Sequence, residues 1–446
     1  MTEVLCNVGS TITAAMRYAG AVPATDPNAT VETVATYRRL LTEFGDGSVA
    51  LGASDRSRPD GSLFYGTVAA IQAACGKYPI MLAWEWADPA TQPVEYALMV
   101  SSLKAHYARG GICGVHFHFG SFLAGGSASD KDRKKASYDE VTQIKASGTR
   151  ITQYRATLDK IATFLNTDMV SGGTKIPVIV RLFHELNGWS DEPDQTISSM
   201  TTTGGFATAN FSAPHGLVPG DFLQVNSCTP TAYNGLRYIS TAPSATQVTF
   251  EQSGSPAALS GTGIAYKVVG FWWAGNDRAA DLKIVWQETV TYLRDTKGVH
   301  NALYCWCPYT YDGILFTSTN PATYPYATWW PGNSYVDVVA TDYYGENKGA
   351  SNWGIDKDAF RNSTNTIIRN YCDAQSKPFV VAEIGYRAGA GDVANLWDEL
   401  TFTPLLRDFK QCRAVSFWGP EFMGASGTAA YAGFQAALAD SRVKGL

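Results

Sequence analysis

Eight short apolar runs alternate with helical segments along this chain of 446 residues. The runs fall at 49–53, 80–86, 112–119, 177–185, 302–309, 336–344, 379–385 and 414–418. Helical spacing occupies 30–44, 66–75, 145–165, 277–296, 358–375 and 396–410. In the first of these, Val31, Val34, Tyr37, Leu40, Leu41 and Phe44 share one face, and Gly45 ends it. Apolar strands alternating with helices predict a parallel (β/α)8 TIM barrel of the α/β class. Residues that carry chemistry in such a barrel belong at the C-terminal ends of its strands.

One stretch breaks the rhythm. Residues 191–269 show no helical period, few charges and many Thr, Ser, Gly and Pro. Short alternating runs appear at 206–211, 222–225, 236–239, 248–251 and 264–268, separated by turn signals such as Pro219-Gly220-Asp221 and Asn234-Gly235. Loops after barrel strands usually take about 2–6 residues. The stretch therefore predicts a small all-β domain inserted after the fourth barrel strand. The expected division is 1–190 and 270–446 for the two parts of the barrel, with 191–269 between them.

Two strand ends stand out chemically. Val178, Ile179, Val180, Leu182 and Phe183 form an apolar run that ends abruptly in His184, Glu185, Asn187 and Gly188. Phe379, Val380, Val381 and Ala382 likewise deliver Glu383 ahead of Gly385. A carboxylate at the tip of an apolar strand is costly to bury without a partner or a task. A lone glutamate there is more often a salt-bridge residue of the rim. Two of them, each in a dense polar and aromatic motif, match the paired carboxylates of a glycosidase. His184 and Asn187 are suited to sugar hydroxyls. Arg181, earlier on the same strand face, is suited to balance buried carboxylates.

At these residues the chain resembles glycoside hydrolase family 26, most of whose members are endo-β-1,4-mannanases. The family's fourth-strand motif, R-P-F-H-E-M-N-G-x-W-F-W-W-G, compares with Arg181-Leu182-Phe183-His184-Glu185-Leu186-Asn187-Gly188. Its tail resumes at Phe271-Trp272-Trp273-Ala274-Gly275, and Trp189 is a second candidate for the motif's first Trp. The resemblance implies that Glu185 is the general acid/base and that Glu383, in Val381-Ala382-Glu383-Ile384-Gly385, is the nucleophile. It implies a retaining reaction through a glycosyl ester on Glu383. It further implies that Tyr344, in Asp342-Tyr343-Tyr344, holds its hydroxyl on the nucleophile, that His118 contacts the reacting sugar, and that Trp418 walls it. Phe117 departs from the family's Trp-His pair, and Leu182 and Leu186 depart from its Pro and Met. The expected substrate-binding set is His118, His184, Arg181, Asn187, Trp189, Trp272, Trp273 and Trp418.

The stretch 191–269 resembles, more loosely, small β-modules of bacteriophage tail and virion proteins. The resemblance rests on the turns His215-Gly216-Leu217-Val218-Pro219-Gly220-Asp221 and Tyr233-Asn234-Gly235. A spacer or accessory sugar-binding module is the alternative. No secretory signal is visible at the start, so an extracellular enzyme and a virion-associated one are both open.

Composition narrows the partners. A net charge of −5 leaves no electrostatic footprint for nucleic acid, and no apolar run reaches the roughly 18–20 residues that span a bilayer. The 12 Trp and 23 Tyr suit stacking on sugar rings. The eight Cys include no CxxC pair, and the six His include no ligand-spaced cluster beyond His116 and His118, so no metal or other cofactor is expected. The expected partner is a polysaccharide, with β-1,4-mannan leading. β-1,3-Xylan, mixed-linkage β-glucan and a bacterial surface polysaccharide are the rivals within the same chemistry. A non-catalytic glycan-binding virion protein is the rival outside it.

Overall fold

The computed structural model describes residues 20–45, 47–56, 62, 66–117, 140–184, 190–191, 195–219, 221–269, 279–307, 330–345, 371–372, 375–386, 412–419, 423 and 426–446. Eight parallel strands close into a barrel: β1 (Val49–Asp55), β2 (Met81–Glu85), β3 (Ile112–Phe117), β4 (Val178–Leu182), β5 (Ala302–Trp306), β6 (Val338–Gly345), β7 (Phe379–Tyr386) and β8 (Cys412–Phe417). The ring is sealed where β1 meets β8, with Leu51 opposite Val415 and Gly52 opposite Ser416. All eight strands coincide with the expected runs, with ends shifted by a few residues.

Period-two alternation sorts the strand residues into two layers. Ala50, Met81, Ile112, Ile179, Leu303, Val338, Ala340, Val380 and Ala414 form the inner cluster. Leu51, Leu82, Val115, Val180, Tyr304, Val339, Val381 and Val415 face the outer layer. Helix α1 (Val31–Thr42) begins at the N-cap Thr30, whose side chain accepts from the Thr33 amide. Its Tyr37, Leu40 and Leu41, with Phe44 beyond it, join the inner cluster. The Tyr37 hydroxyl donates to the Ser376 carbonyl just before β7, and the Thr30 amide to the His300 carbonyl just before β5. The helix therefore stoppers the N-terminal end of the barrel and leaves the C-terminal end for chemistry.

Helices α2 (Thr67–Cys75), α3 (Pro93–Ala108), α4 (Ile151–Thr163), α5 (Ala279–Thr291) and α6 (Ala429–Ala439) lie between or after the strands. The helix expected over 145–165 begins later, at Ile151, after a turn in which Gly148 packs on the Gln143 carbonyl, and it continues beyond Thr163 as a π-helical turn over Phe164–Asp168. Helices α3 and α6 are absent from the expected set. Their apolar and small residues are spread around the axis, so neither shows a clean stripe. The expected helices over 358–375 and 396–410 lie almost wholly outside the described residues.

Between β4 and α5 in the chain lies a closed antiparallel barrel of six strands. Its order is Gln195–Thr203, Phe206–Phe211, Gln247–Glu251, Gly235–Ser244, Phe222–Asn226 and Gly263–Val269, the last pairing back onto the first. Ser190 and Asp191 pair with Val269 and Val268, so the entering and leaving strands run side by side. Ile197, Met200, Leu223, Val225, Ile239, Val248 and Phe250 share its own core. Strand Gln195–Thr203 is absent from the expected runs. A register shift between Ile197 and Ser199 spaces its inward residues, Ile197 and Met200, three apart and hides the period of two. The turn residues singled out in the sequence hold this barrel together. His215 Nδ1 accepts from the Leu217 amide, Asp221 pairs with Lys267 at 2.8 Å, and Asn234 Oδ1 accepts from the Cys228 amide.

The seam between β1 and β8 generates a test. A Cβ on Gly52 would lie 2.9 Å from the Ser416 Cβ and 3.0 Å from its Cα, so backbone must move. Gly52→Ala should cost about 1–3 kcal/mol, read as a lower thermal midpoint. An unchanged midpoint would show that the seam is looser than its geometry.

Candidate active site

The inner residues at the C-terminal ends of the strands are polar, where those below them are apolar. Glu85, His116 and Arg181 are register neighbours on β2, β3 and β4. Asp342 and Glu383 are register neighbours on β6 and β7. The Arg181 guanidinium reaches across to both carboxylates. Its Nη1 donates to Asp342 Oδ2 at 2.5 Å and its Nη2 to Glu383 Oε1. The Cys307 thiol, at the end of β5, donates to Asp342 Oδ1 at 3.3 Å. Arg181 is 4% exposed, Glu383 2% and Asp342 0%, so water does little to screen the group.

Two local irregularities aim the key side chains. On β7, Thr341 of β6 faces Val381 while Asp342 faces Glu383, so one extra residue is accommodated. The pairing with β8 skips in the same place, between Val381 and Ile384. Ala382 belongs to the inner cluster and Ile384 to the outer one. The bulge therefore turns Glu383 inward where strict alternation would send it out. At the end of β4, Phe183 has φ 47°, an uncommon backbone for a bulky residue. Phe183 joins the outer cluster, and His184 is buried with Nε2 3.9 Å from Glu383 Oε1.

A second group lies beside the first. Glu85 Oε2 is 3.3 Å from His116 Nε2. The His116 ring meets His184 at 5.6 Å, nearly perpendicular, and Trp418 at 5.2 Å. Electrostatics follow from burial. Burial works against the charge of Arg181, but Asp342 and Glu383 hold it above its usual value. Burial pushes Asp342 above the carboxylate range, with Arg181 opposing. Burial lowers His116, and Glu85 opposes that shift. Arg181 paired with Glu383, beside an Asp342 that burial inclines to keep its proton, places one carboxylate for nucleophilic or electrostatic work at an electron-poor carbon. Among the described residues, no group of three or more His, Cys, Asp or Glu side chains is arranged to hold a metal.

Of the residues expected from the sequence, Arg181, His184, Glu383 and Trp418 come together here. Tyr344 lies on β6, paired in register with Gly385 of β7. His118, Glu185, Asn187, Trp189, Trp272 and Trp273 lie outside the described residues. Glu85, His116, Asp342 and Cys307 are absent from the expected site. The strand-tip rule that singles out Glu185 and Glu383 applies equally to Glu85, at the end of Met81–Glu85, and could have found it.

Arg181→Met should leave two buried carboxylates without their shared cation and cost about 3–5 kcal/mol. Urea unfolding measures this, and a loss below about 1 kcal/mol would deny that the pair depends on Arg181. The contribution of His116 to stability should fall in acid. An unfolded histidine takes up a proton near pH ~6.5, whereas buried His116 resists it. The contribution is present above about pH 6.5 and is lost as pH falls below it. The loss of stability between about pH 7.5 and about pH 5 should be smaller in His116→Phe than in the parent. An equal loss would assign the acid sensitivity elsewhere.

The model of glycosyl hydrolase family 26 matches residues 25–200 and 267–390, which is well over half of the chain. Most of the antiparallel barrel falls in the unmatched interval. A mannan endo-1,4-beta-mannosidase of Bifidobacterium adolescentis is 37% identical over 81 residues, a match covering 18% of this chain and 7% of that protein. The fold is similar to the catalytic domain of the Bacillus sp. JAMB-750 GH26 endo-β-1,4-mannanase, with TM-score 0.64, 19% identity and coverage of 96% of this chain and 94% of that one. It is also similar to a modular endo-β-1,4-mannanase from Cellulomonas fimi, with TM-score 0.63, 19% identity and coverage of 95% and 78%. The chain belongs to glycosyl hydrolase family 26.

Proposed function

We propose that this chain is a retaining endo-glycanase that cleaves β-1,4-mannan by double displacement. The observation that carries the reading is Glu383, turned inward by a bulge at the barrel mouth and held by Arg181 beside His184. In this reading Glu383 attacks the anomeric carbon while Glu185, which follows His184 in the chain, protonates the leaving oxygen. Tyr344 orients the nucleophile. Glu185 then takes a proton from the water that releases the product from Glu383, restoring both carboxyl groups. His118, His184, Asn187, Trp189, Trp272, Trp273 and Trp418 hold the sugar chain. The mannanases named above support mannan as the polymer. Residues 191–269 form a separately folded inserted domain in this reading, supported by its own core and by the side-by-side pairing of its two ends.

Reducing-end release should be measured on linear mannan, galactomannan, glucomannan, β-1,3-xylan and mixed-linkage β-glucan. Hydrolysis of mannans, lowered by several orders of magnitude in Glu383→Ala, is the expected result. Activity confined to another polymer would overturn the substrate, and activity that survives Glu383→Ala would overturn the nucleophile.

A further inference from the structure

The hydrolytic reading uses Glu383, Arg181 and His184 but leaves Glu85 and His116 without a task. Both belong to the same inner layer, at neighbouring register positions on β2 and β3. The His116 side chain is wholly buried, while Glu85 retains 12% exposure. One edge of the imidazole faces Glu85, and the ring lies against both His184 and Trp418. Trp418 has a fixed backbone: its amide donates to the Ile384 carbonyl at 3.4 Å and its carbonyl accepts from Thr67 Oγ1 at 3.0 Å. Its ring leans on His116.

We propose that Glu85 and His116 are a positioning pair: Glu85 fixes the His116 ring, and that ring sets His184 beside Glu383 and Trp418 at the barrel mouth. The inference rests on Glu383 being the nucleophile. A carboxylate at Nε2 selects the tautomer that carries its proton there. The 3.3 Å contact of Glu85 with Nε2 restrains the buried ring, and the two neighbours that pack on the ring depend on its orientation. Displacing reacting groups by about 1 Å can cost on the order of a hundredfold in rate, so a residue that touches no substrate still governs turnover. Among the described residues, Arg181 and Glu383 are the other charged groups that act on His116. Their effects are opposite in sign.

The experiment compares the parent chain with Glu85→Gln, Glu85→Ala and His116→Phe, each labelled with 15N-histidine. Only six histidines contribute to the spectra, and His116→Phe assigns one of them. His116 is expected to carry its proton on Nε2 in the parent and in Glu85→Gln. In Glu85→Ala the ring signals of both His116 and His184 should move. On a polymer that the parent hydrolyses, Glu85→Ala should lower kcat about tenfold or more with KM within about twofold, and Glu85→Gln should restore most of the rate. Unmoved His184 signals in Glu85→Ala would overturn the proposal. So would a raised KM with unchanged kcat, which would make Glu85 a sugar contact, or a lower Tm with neither constant changed. If the parent hydrolyses no polymer, the hydrolytic reading fails, and the histidine spectra still decide the positioning pair.

Discussion

One guanidinium shared by two buried carboxylates is the interaction that organises the mouth of this barrel. Arg181 stands on β4, Asp342 on β6 and Glu383 on β7, so the contact crosses the barrel interior. Removing three charged groups from water is costly, and only close, hydrogen-bonded geometry offsets it. The strands that carry them must therefore hold a fixed register. The Cys307 thiol, just past the strand between them, also donates to Asp342.

Regular strands alone would not assemble this group. The bulge at Ala382 and Glu383 and the left-handed backbone of Phe183 each break alternation at a strand tip. Each brings inward a side chain that a regular strand would turn away, Glu383 in one case and His184 in the other. Departures from ideal backbone collect where function needs a side chain in an awkward direction.

The antiparallel barrel is organised on separate terms. Its apolar residues form their own core, and its two ends pair with each other. The turn residues singled out in the sequence act here as structural ties: His215 caps a turn, Asp221 balances buried Lys267, and Asn234 accepts a backbone amide.

The large barrel was legible in the chain alone, because eight apolar runs can be buried on both faces only when helices cover a parallel sheet. Glu383, Arg181 and His184 were legible too, because charge at the end of an apolar strand is conspicuous. Helices α3 and α6 are not legible there because neither carries an apolar stripe, nor is strand Gln195–Thr203, because a bulge masks its period. Which polar residues meet was settled only by folding. Asp342 and Cys307 are distant in sequence from Arg181, and His116 meets Trp418 only because β3 and β8 share one barrel mouth. Strand register sets those meetings, and register is a property of the closed barrel that no single strand contains.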